Sequence, residues 1–121
     1  LTSGERGREA EACALAFLQS QGLRLLAQNW RCRFGELDLV MQDKDSLVFV
    51  EVRYRRSSHF GGAAQSVDAS KQRKLARSAQ QFLQQQAVLN NKPCRFDVIA
   101  LCEAAKPQWI KNAFELPEGC Y

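Results

Sequence analysis

Two short triplets, Glu36-Leu37-Asp38 and Glu51-Val52-Arg53, place charged side chains at alternate positions on either side of a polar segment, Asp43-Lys44-Asp45-Ser46. Alternation with a period of two is the signature of a strand, so residues 36–42 and 47–54 read as β-strands joined by that four-residue connection. In an antiparallel hairpin with Gln42 opposite Leu47, Asp38 lies across from Glu51 and Glu36 across from Arg53. Directly opposed side chains have Cβ atoms roughly 5 Å apart, where like charges are destabilising. Two acids so placed must raise a pKa or hold a cation. Magnesium is held by one or two carboxylates together with phosphate oxygens and water, so the second outcome is the beginning of a metal-dependent site for phosphate chemistry. The plainer reading is two solvated acids on a half-exposed sheet. The valine-rich surroundings of Glu51 argue against it.

Arg53 projects from the same strand face as Glu51. It either pairs with Glu36 across the hairpin or stands beside the metal and stabilises charge on a phosphate. Its guanidinium stays protonated at neutral pH, so it is no general base. Glu11 flanks the apolar stripe of an N-terminal helix, as a snorkelling surface acid or as a third ligand to the metal. Lys71, Arg73 and Lys74 crowd the first turns of a second helix, where the macrodipole disfavours cations. That placement points to phosphate contact rather than to a merely solvated face. Between Arg53 and Arg95 the bases are Arg53, Arg55, Arg56, Lys71, Arg73, Lys74, Arg77, Lys92 and Arg95 against the single acid Asp68, a distribution that attracts polyanions.

The elements that position these residues follow from periodicity. Ser3 can cap a helix over residues 3–21, with Gly22 as its stop. Residues 23–33 read as an extended segment, and Phe34-Gly35 turns the chain into the carboxylate hairpin. In the second hairpin strand Val48, Val50 and Val52 face one way and Phe49, Glu51 and Arg53 the other, so this strand is expected to be central and covered on both sides. Residues 55–67 read as a mobile loop, and the lone His59 within it as incidental. A second helix is expected over residues 70–86, with Leu75, Ala79, Phe82 and Leu83 inward. A strand follows over residues 94–101, with Asp97 paired to a base such as Arg95, then a short edge strand over residues 107–110. The order αβββαβ(β) gives an α/β arrangement with mixed pairing.

With 121 residues, the chain is long enough for one core and too short for two, so residues 1–121 are read as a single domain. A hydrophobic fraction of 45% and no apolar run near the ~20 residues of a membrane span exclude an integral helical membrane protein. There is no basic-then-apolar leader, and the start at Leu1 reads as trimmed; a cytoplasmic location is expected. Five scattered cysteines without a C-x-x-C, and one histidine, make zinc or a disulfide framework a poor fit. Reduced thiols are expected.

Five blocks then stand together in order: Gly7-x-x-Ala10-Glu11-x-x-Ala14-x-x-Phe17-Leu18, Phe34-Gly35-Glu36-Leu37-Asp38-Leu39-Val40, Val48-Phe49-Val50-Glu51-Val52-Arg53, Lys71-Gln72-Arg73-Lys74-Leu75 and Cys94-Arg95-Phe96-Asp97-Val98. They cover nearly the whole chain, which resembles the bacterial YraN family, similar in turn to archaeal Holliday junction resolvases and the wider PD-(D/E)xK nucleases. The resemblance implies a restriction-endonuclease-like fold and a Mg²⁺- or Mn²⁺-dependent endonuclease that hydrolyses phosphodiester bonds in branched or structured DNA. Asp38 matches the motif aspartate, Glu51 the acid of (D/E)xK, Glu11 the helical glutamate of the resolvase-like branch, and Lys71 a recurring basic position. Leu37 stands where the motif has proline, and Arg53 where it has lysine. On this reading Asp38 and Glu51 hold the metal with help from Glu11, and Arg53 and Lys71 contact the reacting phosphate. Arg55, Arg56, Arg73, Lys74 and Arg77 grip the backbone, and a symmetric homodimer would bring two sites to a junction. The alternative, prompted by Arg53, is a nucleic-acid-binding module that keeps the fold without cleaving. A third reading, an interaction domain with no nucleic acid, sits badly with the basic second helix.

Overall fold

A computed structural model describes residues 3–55, 67–89, 91–102 and 105–115. Helix α1 (Ser3–Ser20) is followed by strands β1 (Arg24–Cys32), β2 (Gly35–Asp43) and β3 (Ser46–Arg55). Helix α2 (Ala69–Gln85), a 3-10 turn at Ala87–Leu89, and strands β4 (Cys94–Cys102) and β5 (Ala105–Phe114) complete the chain. The strands form one sheet in the order β1-β2-β3-β4-β5. All neighbours are antiparallel except β3 and β4, which run parallel along Leu47–Arg55 and Cys94–Cys102. A parallel pair needs a crossover connection, and α2 lies within it. The mixed α/β architecture expected from the sequence is the one found, a five-stranded mixed sheet flanked by helices, consistent with a restriction-endonuclease-like fold.

The central strand is covered on both faces. Val48 and Val50 pack with Leu39, Met41, Ile99 and Leu101 against Ala10, Ala14 and Leu18 of α1. Phe49 packs on the other face with Val40, Phe96 and Val98 against Leu75, Ala79 and Phe82 of α2. Its ring stacks on Phe96 at 5.3 Å and meets the edge of Phe82 at 6.2 Å.

Local chemistry ends each helix where the sequence allows. Leu23 N–H donates to Leu18 O at 3.1 Å and Gly22 N–H to Gln19 O at 3.0 Å, a Schellman closure that needs the left-handed φ of +93° at Gly22. Leu18 and Leu23 then bury together in the α1 core. Helix α2 begins slightly earlier than residue 70. Asp68, the lone acid of the basic stretch, is its N-cap, and its Oδ1 accepts from Lys71 N–H at 2.8 Å.

Two other boundaries differ from expectation. Asp43 pairs with Ser46, so the hairpin turn is only Lys44-Asp45, with Lys44 at φ +56°. The last strand spans ten residues rather than 107–110. The reason is Asp97, wholly buried, whose carboxylate accepts from Trp109 Nε1 and from Asn112 N–H, both at 2.9 Å, and so draws the polar end of β5 onto the sheet. Arg95 Nε donates to the same carboxylate at 3.0 Å, the pairing expected for Asp97, and its guanidinium also binds Asp43 at 3.0 Å. Residues 56–66, most of the expected loop and its His59, lie outside the described residues.

Candidate metal centre

The β2–β3 ladder keeps the expected register from Asp43↔Ser46 to Leu39↔Val50 and then stops. At that point Asp38 contributes its side chain instead of its main chain. Oδ2 accepts from Val52 N–H at 2.9 Å. Strand alternation also breaks here, because Leu37 is buried on the α2 face while Leu39, two residues on, is buried on the α1 face. In β1, Asn29 adopts φ +52° between residues paired to Leu37 and Leu39. The irregularity gathers acids.

Glu51 is buried on β3, 7% exposed. Its carboxyl is hydrogen-bonded to Asp38, the adjacency predicted by the hairpin register. Burial, and next the charge of Asp38, push the Glu51 carboxyl up to about 8, against the smaller opposing pulls of Lys71 and Arg53. Near neutral pH Glu51 therefore holds a proton and donates it to Asp38. Lys71 Nζ, from the first turn of α2, stands 4.0 Å from Glu51 Oε2.

Glu11, Glu36 and Asp38 each offer one carboxylate oxygen, and the three lie within 4.8 Å of one another, all half-buried. Glu11 reaches the group from α1. Burial raises its pKa, as do Asp38 and Glu36, while a hydrogen bond with the Asn29 side chain and the charge of Arg31 act in the opposite sense. The cluster joins α1, β2 and β3, and Asp38 is the member shared by its two halves.

Glu36 was the residue that sequence reasoning placed elsewhere, opposite Arg53. Its ion pair is instead with the exposed Arg31 at 3.8 Å, because the ladder that would have set Glu36 against Arg53 ends before reaching them. The apolar run Leu37, Leu39, Val40, Met41, in which period two fails, is the only trace of this in the sequence. Arg53 does project toward Glu51, and its buried Nε has no hydrogen-bond partner. Of the expected backbone contacts, Arg73, Lys74 and Arg77 are exposed along α2, and only Lys71 of that helix reaches the acids. The side chain of Arg55 and all of Arg56 lie outside the described residues. Cys13, Cys32 and Cys94 are free thiols. Among the described residues no helix is long and apolar enough to cross a membrane.

Fold and site together define a mixed-sheet α/β protein with a cluster of acids, able to bind a metal ion, where β2 parts from β3. Residues 10–101 match the sequence model of the uncharacterised protein family UPF0102, and the chain belongs to this family, the YraN family of the sequence resemblance. It is 60% identical over 118 residues to a UPF0102 protein of Pseudomonas syringae pv. syringae (strain B728a), covering 94% of this chain and 96% of the relative. A UPF0102 protein of Pseudomonas putida (strain F1) is 58% identical over 113 residues, 90% of this chain and 92% of the relative. One of Stutzerimonas stutzeri (strain A1501) is 56% identical over 116 residues, with 93% and 97% covered.

Proposed function

We propose that the protein is a divalent-metal-dependent endonuclease that hydrolyses phosphodiester bonds in branched or structured DNA. The observation that carries this reading is the convergence of Glu11, Glu36 and Asp38 within 4.8 Å, beside a buried Glu51 and an Arg53 whose Nε is unpartnered.

The donor set fits a hard cation. Every candidate ligand is a carboxylate, with no thiolate or imidazole among them, which suits Mg²⁺ or Mn²⁺. Asp38 would be the central ligand, with Glu11 and Glu51 as the further acids and Glu36 the addition suggested by the cluster. Such an ion supplies Lewis-acid polarisation of a phosphate and a lowered pKa for bound water. The protein's own residues do the rest. Val52 N–H fixes the Asp38 carboxylate. Glu51, which shares a hydrogen bond with Asp38 while protonated, would offer its carboxylate as a further ligand once that proton is lost. Arg53 Nε is a buried donor awaiting an acceptor, and a non-bridging phosphate oxygen provides one. Lys71, 4.0 Å from Glu51, adds a second positive charge at the reacting phosphate, and the exposed bases of α2 extend the grip along the backbone. A homodimer would present two such sites to a junction.

A second reading, a nucleic-acid-binding module that does not cleave, is favoured by Arg53 in the position of the motif lysine. Purified protein with Mn²⁺ on four-way and linear DNA separates the two. Metal-dependent products from the wild type, absent for Asp38→Asn, support the nuclease. Equal cleavage by both proteins sinks it, and salt-sensitive binding without products selects the module.

A further inference from the structure

Away from the acids, the turn between β1 and β2 packs on α2 and leaves a groove of about 440 Å³, lined by Arg33, Phe34, Arg77, Gln80, Gln81 and Gln84. We infer that this groove is a phosphodiester-binding clamp for a nucleic-acid strand whose reactive linkage lies at the acid cluster. This inference rests on the nucleic-acid reading above.

The mount is rigid. Cys32 pairs with Gly35, so Arg33 and Phe34 are the two residues of a tight turn. Gly35 takes φ +146°, a backbone conformation that side chains disfavour. Cys32 Sγ donates to Ser78 Oγ of α2 at 3.4 Å, tying the turn to the helix. On this mount Phe34 holds two cations. The guanidinium of Arg33 lies 4.7 Å from its ring centroid and that of Arg77 5.9 Å, both within cation–π range. Among the described residues neither guanidinium is ion-paired, and no acid lines the groove. Two positioned guanidinium groups with a wall of three amides are complementary to an anion bearing hydrogen-bonding oxygens. A bare metal cation would be repelled by the two guanidinium groups.

The groove is also close along the chain to the candidate centre. Phe34 precedes Glu36 by two residues and Asp38 by four along the same chain segment, roughly 7 to 14 Å at strand rise. The clamp thus holds the strand close to the linkage at the acids.

The test is equilibrium binding in EDTA to a DNA strand carrying one neutral methylphosphonate, moved linkage by linkage. For wild-type protein we expect one or two adjacent positions at which affinity falls about tenfold. The Arg33→Ala/Arg77→Ala protein should bind unmodified DNA more weakly, with a salt slope smaller by about 1, and should ignore the modification at those positions. Phe34→Leu, which keeps an apolar anchor, should give an intermediate loss. A double variant with wild-type affinity and salt slope overturns the clamp while leaving the nuclease proposal standing. Wild-type protein that retains no DNA at low salt overturns the clamp, as does an acidic peptide that competes as well as DNA. Because no metal is present, failure to cleave does not bear on the result.

Discussion

Asp38 accepts the Val52 N–H at 2.9 Å through its carboxylate, so an acid of the candidate cluster also performs the structural task of ending a β-ladder. Asparagine keeps an acceptor oxygen at that position and alanine does not. Asp38→Asn should therefore fold with near wild-type stability and lose metal-dependent cleavage. Asp38→Ala should lose cleavage and also about 1–3 kcal/mol, the cost of leaving the partly buried Val52 N–H without a partner. Urea unfolding of the two variants decides the point, and equal midpoints would show that the bond contributes nothing.

Glu51 makes stability depend on pH with a definite sign. Its carboxyl, ordinarily near 4.5, is raised to about 8 by burial and Asp38, so the folded chain binds more protons than the unfolded one in between. The stabilising effect of that proton is complete below about pH 4.5 and is lost as pH rises through about 8. The loss is on the order of a few kcal/mol, and the raised Glu11 adds to it in the same direction. In EDTA the Tm should fall across this window, and Glu51→Gln should flatten the curve. Mn²⁺ competes with the proton, so it should raise the Tm more at pH 8.5 than at pH 5.5. An unchanged profile for Glu51→Gln would refute the assignment.

Arg53 keeps a buried donor without an acceptor, a cost to the free protein. Replacing it with methionine removes that donor while retaining much of the volume. Arg53→Met should leave stability unchanged or raise it by about 1 kcal/mol, and should weaken DNA binding. Destabilisation beyond about 2 kcal/mol in calorimetry would mean that the side chain holds the fold together instead.

Asp97 is the opposite case, a wholly buried acid with every partner in place. Its carboxylate joins Arg95, Trp109 and Asn112 and so ties β5 to β4. Asp97→Ala should cost about 3–5 kcal/mol, because Arg95 keeps only its Asp43 partner and the Trp109 and Asn112 donors lose their acceptor. Hydrogen exchange should accelerate first in β5. If protection there is unchanged, the network does not secure the edge strand.

Much of this was legible in the sequence because it is local. The period-two pattern of Val48 to Arg53 assigned Phe49 and Val48 to opposite cores, and the polar turn set a register that places Asp38 beside Glu51. Glycine at position 22 marked the end of α1. Less legible were features that depend on a partner far along the chain. Asp68 reads only as the one acid of a basic stretch until its geometry makes it a cap, and Lys111-Asn112 falls beyond the expected edge strand until Asp97 reaches it.

What the sequence determined by itself is the order of elements, the two-faced central strand and the pairing of two acids, since each follows from spacings of a few residues. The tertiary structure alone decided that Glu36 joins Glu11 and Asp38 rather than Arg53, that Lys71 stands over Glu51, and that Phe34 meets Arg77. These contacts hinge on where a ladder stops and where helices settle on the sheet. Such outcomes are set by the packing of both cores at once, and no short stretch of residues encodes them.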